Sequence, residues 1–438
     1  MIKRRALALL AGAAAVLAQA GTASAQQQAE KPAEILIGIA TFLSGSASVF
    51  GVPGQNAAEI LIERMNQEGG IGGVPVRAIY IDEAPGADHV VSEYRRLVQN
   101  EGVDVTLAAI SSGTCMAIGP VAEDLEQFNI MWDCGTQRIF EENDYKYSFR
   151  TQGYATAEML AALFYLLKHE PDFQSIAVVN QDYAWGRESW EIFHTALEAL
   201  KPDVRVVAEL FPRFGAPDYS TEISRLSALR PDIVLSTSWG GDLDTFVRQA
   251  AERGLMNQST FVLPLAESSL ERLGDVMPDG HIVGGRGDHY FLHPEYRDDE
   301  ELQRFVEAYR ERTGEYPIYP TFHMAAALSA LKAAYEKAIE ANGGGWPATD
   351  DLIAAMEGLE FRGLTRPVTI REDHQGLEDQ LIGVTAKSDE YPFAVIDQMV
   401  IFPSEILYTP VGQISVEWLK TLTPDVLDKV PEPVSVRQ

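Results

Sequence analysis

The fold of this chain is constrained most by a regular alternation between short apolar runs and segments with apolar residues at helical spacing. The first apolar run, Ile35 to Ala40, is continuous and bounded by turn residues, which is typical of a parallel strand covered on both faces. The segment 55–66 then carries apolar residues at helical spacing, and the glycine-rich stretch 69–73 ends it. Repeated units of this kind indicate parallel sheets joined by right-handed crossovers.

The alternation occurs in two series, which predicts two lobes. One series runs from Ile35 to Arg150, and a second restarts at Gly153 and continues to Pro264. Each series has the usual size of a domain. The last third departs from the pattern, with predicted helices at about 300–312, 321–342 and 348–357 and predicted strands at about 380–385 and 393–401. The sequence therefore predicts an α/β protein with two doubly wound, Rossmann-like lobes.

The N-terminus has the three parts of a secretory signal peptide in their usual order. Lys3, Arg4 and Arg5 form a basic region, an uncharged apolar stretch follows, and a small-x-small cleavage site ends at Ala25. We predict Sec-dependent export, cleavage after Ala25 and a mature protein in the periplasm. No later apolar run approaches the roughly 20 residues that a membrane-spanning helix needs.

Charge balance and motif content argue against several classes of function. The chain carries 64 Asp and Glu against 35 Lys and Arg, a net charge of −29, which disfavours nucleic acids and anionic lipid surfaces as partners. It contains no phosphate-binding G-x-x-x-x-G-K-[ST], no G-x-S-x-G nucleophile elbow and no dinucleotide-binding G-x-G-x-x-G after a strand. We therefore predict a protein that is not an enzyme and uses no cofactor.

Two residue pairs are candidates for a metal site and for a disulfide. His289 and His293 are four apart, but Pro294 favours an extended segment and no third ligand is evident, so we predict surface or hinge histidines and no metal. Cys115 and Cys134 fall just past predicted strands that can lie side by side. An oxidising compartment permits a disulfide between them, and the alternative is two separate buried thiols.

Small hydroxyl-bearing loops follow two consecutive predicted strands, where a parallel sheet binds ligands. One loop contains Ser111 and Ser112, and the other contains Gly135 and Thr136. Amides and hydroxyls at helix N-termini attract anions, and three or four charged hydrogen bonds of roughly 1.5–3 kcal/mol each can hold a carboxylate without an arginine. The alternative is that Ser111 and Thr136 only cap helices.

Aromatic residues follow predicted strands of the second series. Tyr183 and Trp185 come after one strand, Trp239 after another, and Phe50 lies in the first loop of the chain. Large rings in polar loops supply contact area for small ligands, so we predict that these four residues cover a bound solute. The alternative is that they pack a core or join the lobes.

Five segments of the sequence resemble one family. They are Ile37–Gly51, Asn66–Val76, Ser111–Glu123, Asn180–Gly186 and Asp232–Ala250. In this order and spacing they are similar to the type I periplasmic solute-binding proteins of branched-chain amino acid ABC transporters, the leucine/isoleucine/valine-binding family. The resemblance covers roughly residues 33–390.

This resemblance implies a periplasmic binding protein-like fold in which the chain crosses between lobes three times. We expect crossovers near 150–153, 280–286 and 360–371. The expected division is 33–150 plus 287–358 for lobe 1, 154–280 plus 369–412 for lobe 2, and 413–438 for a C-terminal tail.

The resemblance also implies site roles. The loops at Ser111 and Thr136 match those that hold an α-carboxylate, and the family has aromatic residues at the positions of Phe50, Trp185 and Trp239. The sequence departs from the family after the strand ending at Pro264, where an acid commonly meets the ligand ammonium. Here the first acid is Glu267, so we expect Glu267, Asp133 or Asp182 to take this role, or a ligand that has no ammonium.

These observations predict an extracytoplasmic binding protein of an ABC importer, with permease and ATPase subunits as partners. We expect a monomer that captures a small carboxylate-bearing solute, with a branched-chain amino acid favoured, by closing one lobe on the other. One alternative is a binding protein for aromatic or other non-amino carboxylates or amides. Another is a ligand-sensing module of a receptor, and a third is a secreted hydrolase on the same scaffold.

Overall fold

A computed structural model describes residues 29–435, so the predicted signal peptide and its cleavage site lie outside the described residues. The first lobe is built on five parallel strands in the order β2-β1-β3-β4-β5. These strands are β1 (Ile35–Thr41), β2 (Val76–Asp82), β3 (Val105–Leu107), β4 (Asn129–Met131) and β5 (Ser148–Arg150). Every residue of β1 is buried, because this strand lies inside the sheet and is covered on both faces. Helices α1 (Ser48–Gln67), α2 (Ala87–Arg96), α3 (Ser112–Asp124) and α4 (Arg138–Glu141) accompany these strands.

The second lobe contains a seven-stranded sheet. Its five parallel strands are β6 (Ser175–Val179), β7 (Arg205–Leu210), β8 (Ile233–Leu235), β9 (Thr260–Leu263) and β10 (Ile282–Gly284). Its helices are α5 (Ala155–His169), α6 (Ala184–Leu200), α7 (Ser220–Leu229), α8 (Gly240–Glu252) and α9 (Leu270–Leu273). All residues of α5 up to Leu167 are buried, as expected for a mostly apolar helix that is covered on every side.

The last third of the chain returns to both lobes. Helices α10 (Glu300–Thr313), α11 (Tyr319–Ala341) and α12 (Thr349–Met356) join the first lobe, where α10 and α11 pack on α1. A small antiparallel sheet follows, made of β11 (Glu360–Arg362), β12 (Pro367–Ile370) and β13 (Gly376–Leu377). Strands β14 (Gln380–Ala386) and β15 (Val395–Phe402) then extend the second sheet in antiparallel fashion from β10. The α/β class and the two-lobed architecture are thus confirmed.

The position at which the chain returns to the second lobe differs from the expectation. This segment was expected to begin at residue 369, but β12 and β13 pair only within the small sheet. The second sheet is rejoined at Gln380, where β14 pairs with β10. The chain needs the intervening residues for the small sheet, which joins the first crossover through a parallel bridge between Arg150 and Gln375.

The C-terminal segment is ordered against both lobes. It contains the short helix α13 (Ser415–Leu419), and the Ser415 amide donates to Glu141 Oε2 of the first lobe at 2.9 Å. The Ser415 hydroxyl lies 2.6 Å from Thr156 Oγ1 of α5 in the second lobe. Further along, Val434 forms an isolated bridge to Met399 of β15. The predicted tail is therefore a packed part of the fold.

The two lobes touch across the cleft between them. The Gly241 amide, at the start of α8, donates to the Ser46 carbonyl of the first lobe at 3.1 Å. The Trp239 ring stands edge-on to Phe42 and Phe50, with centroids 5.7 and 5.0 Å apart. These contacts define a closed arrangement of the lobes.

Cys115 and Cys134 are buried free thiols, so the disulfide that the sequence permits is not formed in this structure. Within residues 29–435 we find no helix with the length and apolar character of a membrane span.

A buried histidine makes part of the stability dependent on pH. His281 Nδ1 accepts the Phe261 amide of β9 at 3.1 Å, and burial lowers the pKa of His281 from 6.5 to about 4. The unfolded chain therefore takes up a proton near pH 6.5 while the folded ring stays neutral, so the stability contribution is complete above pH 6.5 and is lost as the pH falls towards 4. One pKa unit corresponds to about 1.4 kcal/mol, so the loss amounts to roughly 3 kcal/mol.

We expect His281→Asn, which cannot titrate, to remove this contribution. Urea unfolding at pH 7 and pH 4.5 measures it as a stability difference between wild type and variant that shrinks at the lower pH. His194→Gln, on the partly exposed face of α6, is the matched control. Equal stability differences at both pH values for His281→Asn contradict the prediction.

Candidate functional site

A narrow cavity lies between the lobes, at the C-terminal ends of the parallel strands. Both lobes and the second crossover contribute to its wall. Its lining residues are Phe50, Ile110, Ser112, Asp133, Gly135, Tyr183, Trp185, Trp239, Leu265 and Arg286.

The loop before α3 is only partly available to an anion. The carboxylate of Glu83 accepts the amides of Ile110 and Ser111 at 2.8 and 3.2 Å. Burial raises the pKa of Glu83 to about 8, although both amides favour its charged form. Ser111 is the N-cap residue of α3 and does not line the cavity, whereas the buried Ser112 does. The amides of the first turn, which begins at Ser112, have no acceptor within the helix, so they remain the anion-binding feature of this loop.

The second predicted loop contributes its glycine and not its threonine. Thr136 Oγ1 accepts the Arg138 amide at 3.2 Å, and the Thr136 carbonyl accepts from buried Arg150. The Thr136 hydroxyl also donates to the Glu188 carboxylate of α6, so its polar atoms are already used by protein partners. Gly135 lines the cavity beneath Trp185, and a Cβ atom at Gly135 would stand 2.4 Å from the indole ring. Only glycine fits this approach.

All four predicted aromatic residues line the cavity. Trp239 Nε1 donates to the Tyr183 hydroxyl at 2.6 Å, and Trp185 Nε1 donates to the Thr237 carbonyl at 2.9 Å. These bonds satisfy the polar atoms of the rings and fix their orientation. Because Phe50 also meets Trp239 across the cleft, the aromatic wall joins the lobes as well as facing the cavity.

Sequence reasoning missed the most heavily bonded side chain of the site, Arg286. It is only 5% exposed, its Nε donates to Glu158 Oε1 at 2.9 Å, and its Nη1 donates to Asp133 Oδ1. The backbone of Arg286 has φ +43°, in the left-handed region that non-glycine residues rarely adopt. The available signal was its position directly after β10, since residues at strand ends face the cleft.

Arg286 is flanked by two buried carboxyl groups. Asp133 belongs to the first lobe and Glu158 to α5, and burial raises the pKa of both carboxyl groups to about 7, against the opposing effect of Arg286. Among the described residues, Asp133 Oδ2 and Glu158 Oε2 are buried without a hydrogen-bond partner. Asp133 lines the cavity, so its free oxygen is an acceptor available to a bound molecule.

The structure separates the three acids proposed to meet a ligand ammonium. Glu267 accepts the Tyr319 amide at 2.8 Å, does not line the cavity, and has its pKa raised to about 8 by burial. Asp182 is exposed and accepts from Arg187 at 2.8 Å. Of the three, Asp133 alone lines the cavity.

The histidine pair is not at the surface. His289 and His293 are 4% and 0% exposed, and they follow the second crossover, beside Asp288. The segment is buried because the first-lobe helices pack over it, which the local sequence does not reveal.

Comparison with known proteins places this architecture in a family. The family model for periplasmic binding proteins matches residues 34–390. A Leu/Ile/Val-binding protein homolog 7 of Brucella melitensis is 27% identical over 316 residues, covering 69% of this chain and 75% of the relative.

Solved structures share the fold. A solute-binding protein of an ABC transporter from Rhodopseudomonas palustris, in complex with 3,4-dihydroxybenzoic acid, is 21% identical with a TM-score of 0.74, covering 87% of this chain and all of that one. A closed leucine-, isoleucine-, valine-, threonine- and alanine-binding protein from Brucella ovis is 18% identical with a TM-score of 0.71, covering 86% and 97%. With two doubly wound lobes closed over a cavity and a family match across most of its length, this chain belongs to the type I periplasmic binding proteins, the solute-binding proteins of ABC transporters.

Proposed function

We propose that this protein captures a small amino acid in the periplasm and delivers it to the permease and ATPase subunits of an ABC importer. The observation that carries the proposal is the unpartnered, buried Asp133 Oδ2 in the wall of a cavity that also contains the N-terminus of α3. An α-amino acid supplies one group for each of these features.

The α-carboxylate is assigned to the first turn of α3. The amides that begin at Ser112 have no helical acceptor, and the helix dipole favours a negative charge there. The Ser112 hydroxyl adds a further donor at the cavity wall. Charged hydrogen bonds of roughly 1.5–3 kcal/mol each offset the cost of removing the carboxylate from water.

The ammonium group is assigned to Asp133. Arg286 is the cation paired with both Asp133 and Glu158, so an added positive charge improves the charge balance of this wall. The remaining wall, formed by the four aromatic rings with Ile110 and Leu265, suits an apolar side chain. The cavity is narrow in this closed arrangement, so we expect a small side chain of the branched aliphatic type.

A hydroxylated aromatic acid is the second candidate. The four rings of the cavity wall can stack on a flat ligand, and a phenolic hydroxyl can donate to Asp133 Oδ2 in place of an ammonium. The structural neighbour from Rhodopseudomonas palustris was solved with such a compound.

Calorimetric titration of the mature protein with leucine, isoleucine, valine, benzoate and 3,4-dihydroxybenzoate tests the proposal. We expect the aliphatic amino acids to bind, with a higher melting temperature and a smaller scattering radius in their presence. Asp133→Asn keeps an acceptor oxygen but loses the charge, so we expect leucine affinity to fall by about 100-fold or more, as for a buried charged pair that loses one charge. Asp182→Asn, an exposed acid outside the cavity, is the control.

The same variant separates the two candidates. A hydroxyl donor needs only an acceptor, so a protein specific for 3,4-dihydroxybenzoate keeps its affinity within about 10-fold in Asp133→Asn. Preferential binding of that acid, with such tolerance, replaces the amino-acid assignment by the second candidate. If no amino or aromatic acid changes the melting temperature or the scattering radius, both are wrong.

A further inference from the structure

We propose that His289, His323 and Glu378 form a binding site for a divalent transition-metal ion of the zinc type at the junction of the crossovers. The three side chains are buried, and one donor atom from each lies within 4.8 Å of the other two. This inference is independent of the identity of the solute.

Two of the donor atoms contact only each other. His289 Nε2 and Glu378 Oε1 lie 2.6 Å apart as a buried ion pair, and neither atom has a hydrogen-bond partner elsewhere among the described residues. A divalent ion can take both atoms as ligands in place of this pair, since it binds the neutral imidazole and the carboxylate together.

The other polar atoms of these side chains are held by neighbours, as metal ligands commonly are. His289 Nδ1 faces Thr365 Oγ1 at 3.4 Å, and Glu378 Oε2 accepts the Gly153 amide at 2.8 Å. His323 Nδ1 lies 3.0 Å from Asp133 Oδ1. One polar atom of each side chain is therefore held by a neighbour. The second polar atoms of His289 and Glu378 face each other, and that of His323 faces the Arg286 carbonyl.

The local charge also favours a cation. Four buried carboxyl groups stand in this cluster beside one buried guanidinium, that of Arg286, and the three buried imidazoles of His289, His293 and His323. The carboxyl groups are those of Asp133, Glu158, Asp288 and Glu378. A divalent ion offsets charge that a low-dielectric interior otherwise tolerates poorly.

Binding requires small local shifts. Ligands at tetrahedral zinc stand roughly 3.3 Å apart, so the contact between His289 and Glu378 must widen. His323 Nε2, now 2.7 Å from the Arg286 carbonyl, must turn towards the ion. Gly287 lies directly beside the pair, where a Cβ atom would stand 2.7 Å from His289 Nε2, so only glycine permits this close packing.

The ligand types indicate the class of ion. Two imidazoles and one carboxylate suit zinc and its neighbours, whereas Mg²⁺ and Ca²⁺ prefer oxygen ligands. The local sequence shows no third ligand beside His289 and His293, and for that reason no metal was expected there. The fold supplies His323 from α11 and Glu378 from the third crossover, and His293 instead accepts the Glu295 amide at 3.1 Å.

Metal analysis of tag-free, full-length mature protein tests the site. We expect about one zinc ion per chain after dialysis against zinc and a higher melting temperature with Zn²⁺ than after EDTA treatment, with no such rise for Mg²⁺. Cobalt substitution should give the intense visible bands of a low-coordinate nitrogen and oxygen site without sulfur. His289→Gln and Glu378→Gln should each weaken zinc binding by more than ~100-fold, and the half-exposed pair of His194 and Glu198 supplies the control variant His194→Gln.

Two results overturn the proposal. One is wild-type protein that retains no zinc and shows no zinc-dependent change in melting temperature, which leaves His289 and Glu378 as an ion pair. The other is zinc binding that survives in both site variants, or in whichever of them folds. Leucine titration of the same samples is read separately, so failure of the metal site leaves the proposed function untouched.

Discussion

Replacing Arg286 with methionine is expected to lower the free energy of unfolding by about 3–5 kcal/mol. The guanidinium is buried between Asp133 and Glu158, one from each lobe, and its removal leaves both carboxyl groups without their cation. Chemical denaturation at pH 7.5 measures the loss. The pKa of each carboxyl group is raised to about 7 by burial in the presence of Arg286, and without the guanidinium both are driven further towards the protonated form. We therefore expect the loss to be smaller at pH 5.5.

Neutralising the partners should restore most of that stability. The triple change Arg286→Met, Asp133→Asn and Glu158→Gln removes all three charges, and buried ion pairs replaced as a group are often neutral in stability. Arg187→Met, which breaks an exposed pair with Asp182, should cost less than about 1 kcal/mol and is the matched control. If Arg286→Met is no more destabilising than this control, the buried network does not stabilise the fold as argued.

Introducing a side chain at Gly241 should prevent closure without unfolding either lobe. A Cβ atom at this position would stand 2.9 Å from the Ser46 carbonyl of the opposite lobe, and a leucine side chain extends further. Leucine is a good helix former and Gly241 lies in α8, so the lobe itself should keep its stability. Because the solute contacts both lobes only when they are closed, we expect Gly241→Leu to weaken leucine binding by at least about 100-fold.

Scattering distinguishes blocked closure from other defects. The Gly241→Leu protein should keep a larger radius in saturating leucine than the wild type does, while its free energy of unfolding without ligand stays within about 0.5 kcal/mol of wild type. Glu252→Leu, on the exposed end of the same helix, is the control and should bind and close normally. Normal closure in Gly241→Leu would show that the contact at Ser46 is not required.

The architecture could be predicted because the burial of its main elements shows in their own sequences. β1 is a continuous apolar run and α5 is mostly apolar, so the burial of each can be predicted without knowing its distant neighbours. The discontinuity of the lobes came from the family resemblance, since no local signal distinguishes α10 and α11 from helices of the second lobe. The small sheet was missed because β13 has only two residues and depends on its pairing with β12.

The site was predictable where a residue follows a strand and faces the cleft, as Ser112, Gly135 and the four aromatic residues do. The site was not predictable where side chains from distant parts of the chain form hydrogen bonds with its groups. Glu83 takes the Ser111 amide from 28 residues away. Arg286 is held by partners 153 and 128 residues distant, so neither its burial nor its charge balance can be read from its neighbours.

The position of Ser415 has a mechanical consequence. Its amide and hydroxyl reach α4 in one lobe and α5 in the other, close to where the chain first passes between them. Because Ser415 is hydrogen-bonded to both lobes beside the hinge, opening the cleft beyond a certain angle must stretch these hydrogen bonds. The C-terminal tail, residues 413–438, therefore sets an upper limit on how far the empty cleft can open. Truncating this tail should let the two lobes rotate further apart.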